Sequence, residues 1–170
     1  MRKHGLALFA ALALFGATGA AAQAPAPVNA EASITIPTLL EITVDETTVL
    51  FGQPTLADYT TGHVFGDVTS VVSTRGNVTH DVTIVADAPT MTFTPSAGGT
   101  DPQKPATDLQ WSIDNAAWSG LSTTAANVAA NLAKGTNAAA ASVTYRMLLN
   151  EATDEPGLYT LGFTYTVVAN

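Results

Sequence analysis

The chain has 170 residues, of which 46% are hydrophobic and 12% charged, and its net charge is −8. This composition is typical of one globular domain and excludes a disordered chain. The acidic surplus excludes nucleic-acid binding, because few lysines and arginines are present to neutralise phosphates. The absence of cysteine excludes disulfides, thiolate metal sites and a cysteine nucleophile.

The first 22 residues have the layout of a secretory signal peptide. Arg2 and Lys3 form a positive start, and the apolar run at 5–15 is too short to span a bilayer. Small residues ending at Ala22 suit a signal peptidase, so we predict cleavage after Ala22 and no membrane span afterwards. The predicted location is the periplasm, the cell surface or the extracellular space.

Cleavage after Ala22 changes the charge and sets the domain boundaries. It removes two of six basic residues and no acidic residue, which leaves 4 − 14 = −10. Residues 23–31 are rich in proline and alanine and predict an extended tether. Residues 32–170 are predicted to form a single domain.

Alternating apolar and polar residues, rich in Val, Ile, Thr and aromatics, predict half-buried strands along this domain. The predicted strands are 32–44 (broken by Pro37), 48–51, 64–73, 78–86, 90–94, 109–114, 143–149 and 159–169. Many short strands separated by turns predict an all-β, antiparallel immunoglobulin-like sandwich. The parity predicts an interior of Val82, Ile84, Trp111, Ile113, Tyr145, Met147, Tyr159, Leu161, Phe163 and Tyr165.

The alanine-rich segment 122–134 does not alternate in this way. Its Ser/Thr start, the spacing of Val128 and Leu132, and Gly135 at its end are compatible with a short helix. An irregular crossover fits equally well, so the sequence leaves helix and coil open here.

Residues suited to catalysis are few, and we predict that the protein is not an enzyme and needs no cofactor. A nucleophilic serine requires an oriented base, and after cleavage only His63 and His80 could supply it. His80 lies on an apolar strand face, where a hydrogen-bonded core histidine is the expected state. His63 follows a Thr-Gly pair, where solvent exposure is expected.

Two further groups are candidates for ligand binding. Glu151, Asp154 and Glu155 form an acidic turn, for which we expect solvation; their oxygens also make them candidates for calcium binding. Trp118 belongs to a predicted hairpin at 109–121 and is a candidate stacking platform for a sugar ring, although core packing is expected for the tryptophan pair.

Two segments resemble secreted bacterial surface proteins. Residues 49–52 (VLFG) with 58–64 (DYTTGHV) are similar to the opening of spore coat protein U-like, pilin-like and WxL-like domains. Residues 156–167 (PGLYTLGFTYTV) are similar to their closing strand. Pilins and coat proteins usually carry a disulfide, which this chain lacks, and a WxL domain has Trp-x-Leu where this chain has Trp-Ser-Ile at 111–113. The resemblance implies an immunoglobulin-like sandwich used as a surface building block, with no catalytic residues.

These observations predict a non-catalytic structural or adhesive subunit of the cell surface. Its partner would be itself or another surface protein, through strand addition by the alternating segment Ala32, Ile34 and Ile36. The alternatives are a soluble monomer in which all strands pair internally, a secreted polysaccharide-binding module, and a hydrolase in which His63 or His80 meets an acid and a serine.

Overall fold

A computed structural model of the protein describes residues 31–96 and 98–170. The predicted signal peptide at 1–22 and the tether up to residue 30 lie outside the described residues. The chain divides into two compact units, Met1–Thr35 and Ile36–Asn170. Within the first unit, residues 31–35 are described; they form no helix or strand, and their side chains are exposed.

The second unit is an antiparallel β structure, which confirms the predicted all-β class. Its ten strands are β1 (Leu40–Val44), β2 (His63–Gly76), β3 (His80–Ala86), β4 (Thr92–Pro95), β5 (Leu109–Ser112), β6 (Ser119–Gly120), β7 (Ala126–Leu132), β8 (Gly135–Leu148), β9 (Gly157–Thr160) and β10 (Phe163–Ala169). The described residues also form one short helix, α1 (Leu56–Thr61), and a 3₁₀ turn at Ala106–Asp108.

The strands form three sheets. The largest has the order β1-β2-β8-β5-β6, the second β10-β3-β7, and the third pairs β4 with β9. The predicted hairpin at 109–121 is present, because Trp111 pairs with Ser119 and Gln110 with Gly120.

The core lies between the five-stranded and the three-stranded sheets. Val72 and Tyr145 contribute from the first, Val82 and Ile84 from the second, and each is at most 1% exposed. The Tyr145 hydroxyl bonds the Tyr165 hydroxyl across the core at 2.5 Å. Burying each aliphatic side chain stabilises the fold by about 1.5–3 kcal/mol. The side chains packed between the two sheets therefore hold them together.

The parity prediction for the interior is correct at Val82, Ile84, Trp111 and Tyr145, which are buried. It is wrong at Ile113, which is 54% exposed. β5 ends at Ser112 and the chain bends, so the alternation stops one residue before Ile113. The remaining predicted positions are half-buried: Met147, Tyr159, Leu161, Phe163 and Tyr165.

Segment 122–134 is neither the helix nor the irregular crossover considered for it. Residues 126–132 form β7, which pairs with β3 through Ala126 opposite Ile84 and Leu132 opposite His80. Val128 is buried in the core. Pairing with an existing strand therefore overrides the helical preference of the alanines, as tertiary context often does.

The predicted closing strand 159–169 is two strands. β9 ends at Thr160 and pairs with β4, whereas β10 begins at Phe163 and pairs with β3. Gly162 lies at the break; its carbonyl accepts the Asp87 amide at 2.9 Å, and a Cβ there would stand 2.3 Å from the Asp87 carboxylate. The chain changes sheets at this glycine, where an added side chain would require the Asp87 carboxylate to move.

Candidate functional site

The two histidines considered for catalysis are held in structural contacts. His80 is fully buried, with Nε2 2.8 Å from the Thr74 hydroxyl and Nδ1 3.0 Å from the Val78 carbonyl, so it is the expected core histidine. His63 is half-buried rather than exposed, because it begins β2 and packs edge-on against Phe65. In the described part of the chain, neither ring hydrogen-bonds a carboxylate or a serine.

The acidic turn is not uniformly solvated. Glu151 and Glu155 are exposed, but the Asp154 side chain is only 7% exposed. Its Oδ1 lies 2.6 Å from Lys104 Nζ, and its Oδ2 accepts the Asn150 amide at 2.9 Å. The prediction of a solvated turn is therefore wrong at Asp154, because the buried Lys104 from a distant loop neutralises this carboxylate.

The acidic turn does not bring its carboxylates together as calcium ligands. The Asp154 oxygens are occupied by Lys104 and Asn150. Across residues 31–96 and 98–170, no group of three or more His, Cys, Asp or Glu side chains is arranged to hold a metal ion.

Lys104 is the centre of a three-residue cluster that we call the Lys104 cluster: Lys104, Asp108 and Asp154. Nζ lies 3.1 Å from Asp108 Oδ2 as well as 2.6 Å from Asp154. The lysine side chain is 4% exposed and that of Asp108 is 26% exposed. The backbone fixes Lys104, since its carbonyl accepts the Met91 amide at 2.8 Å.

Lys104 and Asp154 of this cluster border a cavity of about 600 Å³. Its other walls include the aromatic rings of Phe51, Tyr59 and Tyr159. The Tyr159 hydroxyl donates to the Glu155 carbonyl at 2.8 Å, and burial raises the pKa of Tyr159 despite this bond. A mostly apolar cavity of this size, with a few polar groups in its lining, has the dimensions of a small-molecule site.

A second cluster lies on the face of the large sheet opposite the core. We call it the Phe65 patch: His63, Phe65, Trp118 and Arg146. The Arg146 guanidinium stacks over Trp118 at 4.4 Å, and Phe65, 56% exposed, lies 5.8 Å from the same ring. Trp118 is therefore half-buried at the surface, not in the core.

The charge of Arg146 is not matched by a carboxylate among the described residues. Its Nε donates to Gln110 Oε1 at 2.7 Å, from the neighbouring strand β5. Phe65, Arg146 and Gln110 are cross-strand neighbours in the pairings β2–β8 and β8–β5, so they form a row across the sheet. A guanidinium and an exposed ring in one row are groups that can bind a polar ring-shaped ligand.

The predicted donor residues are unpaired. Ile34 is 85% exposed and Ile36 69% exposed, and Ala32 is exposed beside them. None of residues 31–39 belongs to a strand. The pairing of this segment within its own sheets, which the soluble-monomer alternative includes, is not seen at residues 31–39, while the oligomeric state stays a prediction.

Sequence reasoning missed Lys104, Phe65 and Arg146. For Arg146 a signal was present, because it alternates with Tyr145 and Met147 and so had to lie on the outer face of β8. For Lys104 no local pattern existed, since its partner Asp154 lies 50 residues away. The helix α1 was also signalled, by the capping box of Thr55 and Asp58.

Comparison with protein-family models finds no match, and comparison with curated proteins finds no relative. In the described part of the chain no helix is long and apolar enough to cross a membrane.

Proposed function

We propose that the protein is an exported, non-catalytic cell-surface subunit with an immunoglobulin-like sandwich, which assembles by strand addition. The observation that carries the proposal is an exposed, apolar-alternating segment in a chain that also has an uncharged, unpaired sheet edge. The leader at 1–22 and the motifs at 49–64 and 156–167 support export and the surface role.

The acceptor in this proposal is the outer edge of β10. β10 pairs with β3 alone, and it contains no charged residue and no proline. The bonds from Asn170 to Thr79 and from Asp87 to Gly162 place the even-numbered residues in hydrogen-bonded pairs. The N–H and C=O groups of Phe163, Tyr165, Val167 and Ala169 therefore point away from β3. Proteins usually prevent other chains from pairing with such an edge by means of charged residues, proline or a short strand.

The donor is the segment 32–36 of a second copy. Its apolar residues Ala32, Ile34 and Ile36 would continue the inward-facing row of Phe163, Tyr165 and Val167. The intervening Ser33 and Thr35 would continue the outward row of threonines on β10. Like side chains on one face of adjacent strands stabilise pairing, while the backbone bonds supply affinity.

The first test compares two substitutions in the donor. Ile34→Asp places a charge on the face that would be buried, whereas Ser33→Asp places the same charge on the opposite face. We expect the wild type and Ser33→Asp to associate by light scattering at high concentration, and Ile34→Asp to stay monomeric. Because neither residue is buried within the chain, both variants should fold with unchanged circular dichroism.

The second test addresses the acceptor. Val167→Pro removes an N–H that faces the free edge, which proline tolerates, so the variant should fold but not associate. A wild-type protein that is monomeric at high concentration and retains no surface partner contradicts strand addition.

A second candidate function, polysaccharide binding, is supported by the Phe65 patch. The exposed Phe65 ring and the half-buried Trp118 ring, beside a guanidinium and an amide, suit stacking on a sugar and hydrogen bonding to its hydroxyl or carboxylate groups. Titration of tryptophan fluorescence with alginate and with neutral xylan tests it. Arg146→Gln should abolish binding, whereas Arg75→Gln, an exposed arginine of β2 without aromatic contacts, should not. Absence of binding to either polymer removes this candidate.

A further inference from the structure

We propose that Lys104 and Asp154 condense to form an intramolecular amide bond, with Asp108 as the proton-transfer group. The inference goes beyond the assembly function and does not depend on it. It starts from the Lys104 cluster, in which an amine nitrogen, a carboxyl group and a second carboxylate lie within hydrogen-bond distance.

The geometry brings together a nucleophile, a carboxyl group, a donor to its second oxygen and a proton acceptor. Lys104 Nζ, the nucleophile, lies 2.6 Å from Oδ1 of Asp154. The backbone amide of Asn150 donates to the other carboxylate oxygen, Oδ2, at 2.9 Å. Negative charge develops on this oxygen when the nitrogen attacks the carbonyl carbon. Asp108 Oδ2, 3.1 Å from Nζ, is placed to accept the proton that the nitrogen must lose.

The reaction balances without an external reagent. One proton passes from the Lys104 ammonium to the Asp154 carboxylate along their hydrogen bond. The neutral nitrogen then attacks Cγ of Asp154, and Asp108 takes the second proton from nitrogen. Asp108 returns that proton to the departing hydroxyl as the C–O bond breaks. The products are one amide, one water molecule and Asp108 in its initial state.

Burial favours the amide over the ion pair. In bulk water an amine and an acid stay ionised, and condensation is unfavourable. Here the Lys104 and Asp154 side chains are 4% and 7% exposed, so both charges have lost most of their hydration. Two desolvated charges are costly even when paired, whereas an amide carries no net charge. The adjoining cavity of about 600 Å³ gives the released water a way out.

Holding the two side chains in contact raises the rate at which Nζ and Cγ can meet, since Nζ already lies 2.6 Å from the Oδ1 atom bonded to Cγ. Groups held in a near-attack arrangement reach effective concentrations of about 10⁵–10⁸ M. Lys104 is fixed through its carbonyl bond to Met91, and Asp154 through two bonds to Asn150, in which the Asp154 amide also donates to the Asn150 carbonyl at 2.8 Å. The bond would join the loop after β4 to the turn before β9 in a chain that has no cysteine for a disulfide.

The test is the intact mass of the exported protein, which is purified in its folded state and then measured under denaturing conditions. We expect a mass lower by one water molecule than that of the mature sequence 23–170. Trypsin should then yield peptides 76–134 and 147–170 as one linked species, because it does not cut between Lys104 and Pro105. A mass equal to that of the sequence, or a water lost within a single peptide, overturns the proposal.

Variants separate the covalent bond from an ordinary ion pair. Lys104→Arg keeps the charge but removes the nucleophile, so its mass should show no loss of water. Asp108→Asn keeps both condensing groups and should slow or abolish the loss. Asp101→Asn, an exposed carboxylate of the same loop, is the matched control and should condense like the wild type. Equal loss of water in Asp108→Asn and Asp101→Asn contradicts the assigned role of Asp108.

Discussion

At the scale of single residues, the tyrosine pair in the core shows how burial and hydrogen bonding act together. Tyr145, 1% exposed, donates to the Ser70 hydroxyl at 3.1 Å and shares a hydrogen bond with Tyr165. Ser70 in turn donates to the Glu46 carbonyl at 2.9 Å. The chain of hydroxyls satisfies polar groups that the packing of two sheets would otherwise leave unpaired.

These tyrosines predict that the protein loses stability in alkali. Burial raises the pKa of Tyr145 and of Tyr165 above the usual 10.0, and the neighbouring Tyr145 raises that of Tyr165 further. Above pH 10 the unfolded chain releases protons that the folded chain keeps, so the free energy of unfolding falls as pH rises. Below pH 10 both states are protonated and the contribution is complete.

Urea denaturation from about pH 9 to about pH 11 measures this effect. Tyr165→Phe removes one of the two titrations, so its free energy of unfolding should fall less steeply over this range. At pH 7 the same variant should lose about 1 kcal/mol, the contribution of one hydrogen bond. Parallel slopes for the variant and the wild type would contradict the raised pKa of Tyr165.

At the scale of elements, the sequence predicted strands wherever alternation was long and failed where pairing partners decide the outcome. The alternation of β3 and of the middle of β8 is confirmed because each has one face in the core. The alanines of β7 prefer a helix, so their strand depends on pairing with β3, which a local pattern does not reveal. The prediction of an interior position for Ile113 is wrong for a different reason. The alternation continues in the sequence after β5 has ended at Ser112.

The candidate sites follow the same rule. Trp118 could be predicted as a candidate binding residue because tryptophan is rare and because the hairpin at 109–121 is evident from the sequence pattern. Its partners Phe65 and Arg146 lie more than 25 residues away along the chain in each direction, and the register of the sheet brings them together. The Asp154–Lys104 pair likewise depends on how two loops meet, which alternation does not encode.

The β4–β9 pair gives a prediction for one element. Gly157 lies so close to β4 that a Cβ would stand 2.5 Å from the Thr94 carbonyl and 2.3 Å from the Phe93 ring. Gly157→Ala should therefore separate the strands and destabilise the fold by about 1–3 kcal/mol, the usual cost of overpacking. Gly52→Ala is the matched control, because nothing lies within 4 Å of its added methyl group. Equal midpoints of thermal unfolding for the two variants would contradict this close approach.

At the scale of the whole molecule, the distribution of charge bears on assembly. The predicted mature chain has a net charge of −10, and yet β10 carries no charge and the donor segment 32–36 carries none. The proposed contact is thus free of charge, while the bodies that approach one another are both strongly negative. Attraction at the contact is short-ranged, whereas repulsion between the bodies acts over the screening length.

Self-association should consequently strengthen with salt. The screening length falls from about 30 Å at 0.01 M to about 8 Å at 0.15 M ionic strength, so repulsion between copies weakens while apolar and backbone contacts persist. We expect the apparent mass from light scattering to rise over this range. The mature chain lacking residues 23–36 loses only Glu31 among its charges, giving −10 + 1 = −9, and should stay monomeric at every salt concentration. Association that weakens with salt would mean that ion pairs form the contact, and β10 and the segment 32–36, which offer none, could not be its site.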